Sequence, residues 1–254
     1  MTQQKTLIAL ALLGCSCASF AVEFDRPGSG FSTSTVAVGQ VAWEQSLANA
    51  HYVEDKDAAG QTVKHTLVYA DMLLRTGLSD DLELQFGWQG PAWSKTKTAG
   101  QSLEQDGLGD VSIALKKAID LGDEKLSMAV LAQAVIATGN EAFSLQDDVY
   151  SLASTVNYQY TDELTTGISM FYAVQDGKWR ATAVPTLNYA FNERWGGYSE
   201  LVYSKAESQD YEYALGSGVM YKVNSRLQLD AGVGVGLNGR TDRYQAGLGF
   251  AYAF

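Results

Sequence analysis

The feature that most limits what this chain can fold into is a period of two carried over almost its whole length. From about Thr35 to Phe254, apolar residues alternate with small or polar ones in stretches of ten to fifteen residues, separated by turn residues. At the end, Tyr244, Ala246, Leu248, Phe250, Tyr252 and Phe254 share one face, while Gln245, Gly247, Gly249, Ala251 and Ala253 share the other. The same alternation runs through Leu227–Leu237 and Tyr150–Tyr160. Twelve such stretches are predicted, at about 35–49, 62–76, 81–93, 108–120, 124–138, 148–160, 163–175, 178–191, 194–206, 210–223, 226–237 and 242–254. No helical period competes with them, so the chain is predicted to be all-β.

Alternation alone does not say which face meets solvent, because a soluble sandwich would show it too. Other features favour a transmembrane antiparallel β-barrel of about twelve strands in an up-and-down meander. The strand number is even, and short connections (Gly77–Asp80, Leu121–Asp123, Thr161–Asp162, Asn192–Glu193, Asn224–Ser225) alternate with longer ones, the longest expected at Ser94–Gly107. Ten or more residues per strand exceeds the globular norm and suits a tilted membrane crossing. Trp43, Trp88, Trp93, Tyr160, Trp179, Trp195, Tyr198 and Tyr252 fall near strand ends, where interfacial girdles would place them. Pro185, in mid-strand, predicts a bulge or a lost ladder bond.

Composition removes the other classes. A mean hydropathy of -0.11 with one apolar run excludes a polytopic helical membrane protein. The net charge of -11 and the absence of any basic run in the sequence exclude a nucleic-acid partner.

The one apolar run is an export signal: Lys5, then Thr6–Gly14, then small residues at Ser19 and Ala21, giving a mature chain from Val22. Leu12-Leu13-Gly14-Cys15 offers the rival reading of a lipidated Cys15. With cleavage after Ala21, Cys15 and Cys17 are both removed and no disulfide remains. Residues 22–34 read as a periplasmic lead-in or a small plug, and 35–254 as the barrel.

A charge facing lipid near the bilayer midplane costs about 2–4 kcal/mol, so charged residues inside strands are expected to face inward. Asp71 and Arg75 share the parity opposite to Met72 and Leu74, and Glu83 lies opposite Leu82 and Leu84. Arg75 and Glu83 are expected to pair directly across their hairpin. The predicted lumen or constriction set is Glu44, Asp71, Arg75, Glu83, Asp110, Lys116, Arg180, Glu212 and Asp230, with Glu200 and Lys222 as further inward candidates. These charges either fill the lumen and fix register, or form a constriction that selects solutes. Lys117 has the lipid-facing parity and is expected to snorkel at a periplasmic turn. His51 and His65 flank the first outer loop, but no spacing identifies a serine partner or a metal site, so no catalytic residue, metal or cofactor is predicted. Gly107-Leu108-Gly109-Asp110 precedes a strand and is no nucleotide loop.

A set of segments resembles the outer-membrane transporter family named for a meta-pathway of phenol degradation. They are Phe24–Gly28, Ser32–Val36, Gln40–Gln45, Leu73–Leu78, Leu82–Leu84, Gly107–Val111, Leu115–Lys116 and Gln228–Asp230. The chain lacks the family's common prolines near Val38 and Ala137, so the resemblance implies a barrel passing small, often aromatic, molecules without specifying one. The expected function is passive uptake of small, hydrophobic or aromatic solutes across the outer membrane of a Gram-negative bacterium. An outer-membrane enzyme acting on lipid and a structural barrel with a closed lumen are the alternatives. Expected partners are outer-membrane lipid and lipopolysaccharide, the solute, and the barrel-assembly machinery through Phe254.

Overall fold

The computed structural model of the chain describes residues 22–238 and 242–254. The export signal expected over residues 1–21 lies outside the described residues. Fifteen strand segments form one sheet: β1 (Val41–Lys56), β2 (Thr62–Tyr69), β3 (Met72–Ser79), β4 (Leu82–Trp88), β5 (Pro91–Thr98), β6 (Gln101–Leu108), β7 (Val111–Ile119), β8 (Leu126–Ile136), β9 (Val149–Gln159), β10 (Leu164–Gln175), β11 (Lys178–Ala190), β12 (Trp195–Ala206), β13 (Glu212–Lys222), β14 (Leu227–Gly236) and β15 (Asp242–Ala253). All strand pairings are antiparallel, and β15 returns to pair with β1 from Ala42↔Ala253 to Glu54↔Asp242. The pairs β2/β3, β4/β5 and β6/β7 are each one barrel strand in two halves, which makes a closed twelve-strand barrel.

Exposure settles which face is out. Leu152 (65% exposed), Met170, Leu215, Val233 and Leu248 point away from the barrel, whereas Thr155, Ser169, Gln228 and Asp230 are buried inside it. An exterior of large apolar side chains around a polar interior is the arrangement lipid requires and water penalises. Tyr198 departs from the girdle expected of it. It shares the inward parity of Glu200 and is 7% exposed, packed where Gly218 and Gly232 leave room.

The halves of the split strands meet in a row. The register of β1 shifts between Ser46 and Ala48, level with breaks at Ala70–Asp71, Gln89–Gly90 and Gly109–Asp110. Backbone bonds still cross the row, from Ser46 N–H to Asp71 (2.9 Å), Ala70 N–H to Pro91 (3.1 Å) and Gln89 N–H to Asp110 (2.9 Å). Gly90 makes the bend possible, with φ +72° and a position where a Cβ would stand 1.9 Å from the Ala70 carbonyl oxygen.

Two expectations change, and at Pro185 one of the two expected alternatives holds. The fourteen-residue loop expected at 94–107 is the hairpin β5–β6, closed at Ala99–Gly100, because its Lys/Thr/Gln alternation continues a strand beyond the membrane. The first strand begins at Val41 rather than near 35, and it runs to Lys56. Pro185 costs ladder pairing rather than making a bulge: the β11–β12 register runs Ala183↔Tyr203, then Thr186↔Glu200, with no shift between.

Candidate functional site

The N-terminal segment, residues 22–40, is held inside the barrel by side chains that eight different strands turn inward. Its last part runs along β3. Val36, fully buried, donates its N–H to Glu83 Oε2 (2.7 Å), Thr35 Oγ1 donates to the Asp80 carbonyl (3.1 Å), and Val38 bridges to Gly77. A Cβ on Gly77 would lie 2.2 Å from the Val36 carbonyl oxygen, so only glycine lets the segment approach this closely.

Asp25 sits in a buried charge cluster. Its Oδ1 is 3.0 Å from Lys116 Nζ and 3.5 Å from Arg75 Nη1, and it accepts the Ser32 hydroxyl (2.7 Å). Arg75 donates from Nε to Glu83 Oε1 (2.8 Å), from Nη1 to Glu44 Oε1 (2.8 Å), and from Nη1 to the Glu23 carbonyl (2.9 Å). Glu44 in turn accepts the backbone N–H groups of Asp25 (3.0 Å) and Arg26 (2.8 Å). Burial alone would raise the pKa of the Asp25 carboxyl, but Arg75 and Lys116 hold it well below the usual carboxylate range. Arg75, Glu44, Glu83 and Lys116 are all at most 1% exposed, so each depends on the others and on the segment for compensation.

The opposite wall takes the next residues. Arg26 reaches Asp230 (Nη2 to Oδ1, 3.0 Å) and lies 3.8 Å from Asp71. Ser29 gives its N–H (2.9 Å) and hydroxyl (2.7 Å) to the two oxygens of Glu200. Phe31 packs edge-on to Phe171, with centroids 5.7 Å apart, and Thr33 shares a hydrogen bond with Ser127.

Of the residues singled out from the sequence, Glu44, Arg75, Glu83 and Lys116 converge on Asp25, while Asp71 and Asp230 converge on Arg26. Asp110 is elsewhere. Its carboxylate accepts N–H groups from Thr138 (2.9 Å), Gly139 (2.8 Å) and Leu145 (2.7 Å) and folds the outer loop 137–148. Arg180 is exposed at the outer end of β11, and Glu212 pairs with Arg243 (3.0 Å) at the outer end of β13. Arg75 and Glu83 do pair, but diagonally, because Arg75 stands opposite Gln85 in the ladder. Lys117 reaches Asp81 in the β3–β4 turn. His51 stacks on Tyr69 with a 3.1 Å hydrogen bond and His65 meets the Thr96 hydroxyl; neither contacts a serine, and no metal-binding cluster occurs among the described residues. Sequence reasoning missed Asp25, Arg26 and Ser29. The available signal was the surplus of inward carboxylates over inward cations in the wall, which calls for donors from elsewhere.

Between the segment and the wall from β9 to β14 remains a cavity of about 400 Å³, lined by Phe24, Phe31, Asn157, Thr186, Asn188 and Tyr198 among others. It reaches the turns at Asp162–Glu163, Asn192–Arg194 and Asn224–Ser225, at the end of the barrel where the N-terminal segment enters.

A family model described as "Putative MetA-pathway of phenol degradation" matches residues 24–254. Solved structures with the same fold include an outer membrane channel from Pseudomonas putida F1 (TM-score 0.66, 11% identity, covering 90% of this chain and all of that one). Others are the translocator domain of the autotransporter NalP from Neisseria meningitidis (0.55, 9%, 91% of each chain) and the NanC porin (0.52, 10%, 82% of this chain and 98% of that one). No curated protein matches the sequence.

Proposed function

The chain belongs to the phenol-degradation MetA-pathway family, and from that premise we propose that it is an outer-membrane channel for passive uptake of small solutes, hydrophobic or aromatic ones included. The observation that carries the proposal is the cavity beside the N-terminal segment. Its volume of about 400 Å³ suits a small molecule, and Phe24, Phe31 and Tyr198 offer apolar surface beside the amides of Asn157 and Asn188. Residues 22–34 act as the plug, 35–40 carry it along β3, and the wall begins at Val41. In this proposal Glu44, Arg75, Glu83 and Lys116 pin the plug on the β1–β7 side and Asp230 holds Arg26 on β14, which leaves solutes the space along β9–β13. In this proposal the protein is not an enzyme. Its partners are the solute, outer-membrane lipid and lipopolysaccharide, and the assembly machinery that engages Phe254.

The test is single-channel conductance of refolded protein in a phosphatidylcholine bilayer, with phenol added. Discrete steps transiently blocked by phenol are expected. A folded, heat-modifiable barrel that never conducts would overturn the proposal.

A further inference from the structure

The sequence has no basic run, yet the barrel register builds one in space. On β5 the outward residues are Trp93, Lys95 and Lys97, and β2 places Lys64 directly opposite Lys97. Like charges directly opposite each other destabilise a sheet. Beside them, β1 carries Lys56 outward, on the parity of Tyr52, whose ring faces that of the exposed Tyr244 at 6.3 Å. The carboxylates on this face with described side chains are Glu54, Glu104 and Asp106, and the register sets Asp242 opposite Glu54. Glu54 is occupied by Lys64 (3.1 Å) and the Tyr52 hydroxyl (2.6 Å), and Glu104 by Lys95. Lys56 and Lys97 have no carboxylate partner among the described residues.

The height of this patch is fixed by the strand below it. Outward residues from Leu82 through Leu84, Phe86, Trp88 and Pro91 to Trp93 are apolar, and such a run is about the length of a tilted crossing. Trp93 therefore marks the outer interface, and Lys95 and Lys97 stand at the level of lipid headgroups.

We propose that Lys56, Lys64, Lys95 and Lys97 form a docking site for the phosphate groups of lipopolysaccharide in the outer leaflet, with Lys97 and Lys64 sharing one phosphate. The site rests on the outer-membrane placement above but not on conduction. A bound phosphate turns the opposed lysine pair from a repulsion into a bridge, and it ties the projecting β1–β2–β5–β6 wall to the membrane.

The experiment compares binding of bisphosphorylated lipid A and of dephosphorylated lipid A to the full mature barrel in nanodiscs. Wild type is expected to prefer the phosphorylated form. Lys64→Gln/Lys97→Gln is expected to lose about fivefold per lysine, while Lys64→Arg/Lys97→Arg keeps the preference. Heat-modifiable migration establishes that each variant is folded. Equal binding of both lipids by wild type, or an unchanged preference in the folded glutamine variant, would overturn the site. Conductance in phosphatidylcholine, which holds no lipid A, separates this failure from failure of the channel proposal.

Discussion

Glu83 stands opposite Gly77 in the ladder, yet its carboxylate is gripped by Arg75, two residues away on β3, through Nε at 2.8 Å and Nη2 at 3.1 Å. The grip is diagonal because Gly77 has no side chain and Val36 occupies the space it leaves. The pair thus anchors both the wall and the segment inside it.

Removing Arg75 leaves Glu44 and Glu83 buried without their main cation. Arg75→Met is expected to destabilise the barrel by about 3–5 kcal/mol, and Arg75→Met with Glu44→Gln and Glu83→Gln by less. Urea titration followed by heat-modifiable migration measures both. Equal losses in the two variants would show that the cluster is not coupled.

Arg26→Gln breaks the contacts with Asp230 and Asp71 without touching the cluster around Asp25. The plug then loses its hold on the β14 side, and single-channel conductance is expected to rise and grow noisier. Unchanged conductance would mean that Arg26 does not restrain the plug.

Tyr198 fills the cavity beside Gly28, its ring 3.4 Å from where a Cβ on that glycine would stand. Tyr198→Ala is expected to raise the size limit for neutral solutes in polymer-exclusion measurements. A constant limit would place the narrowest point elsewhere.

Gly90→Ala forces a Cβ into the Ala70 carbonyl at a positive φ, and a loss of well over 1 kcal/mol is expected. Gly100→Ala, at φ +81° in the β5–β6 turn with nothing within 4 Å, should cost only about 1–2 kcal/mol. Urea midpoints of the two variants rank them, and the reverse order would refute the crowding at the strand break.

Much of the wall was legible because its code is local. Tyr150, Leu152 and Leu248 had to face lipid once Thr155, Gln245 and their neighbours faced inward, and the parity of Arg75, Glu83 and Lys116 followed from the cost of a charge in lipid. The row of breaks was not legible, since a bend at Gly90 depends on where Ala70 lies across the ladder. Nor was the use of each charge. Asp110 has the parity of a lumen residue, but its partners are backbone N–H groups of a loop about thirty positions on. Asp25 and Arg26 lie in a segment with no periodicity, and their partners come from β1, β3, β7 and β14. Tyr198 lies near a strand end, as a girdle residue would, but shares its parity with Glu200, and parity is the feature that sets it inside.

Arg26 and Asp230 are 204 positions apart. Asp230 comes within reach only when β14 has paired with β15 and β15 with β1, so this ion pair forms after the ring is complete. The Asp25 cluster needs only β1 to β7. The two contacts of adjacent residues therefore belong to different stages of assembly, and occupancy of the second distinguishes a finished barrel from an open sheet that already holds its own plug.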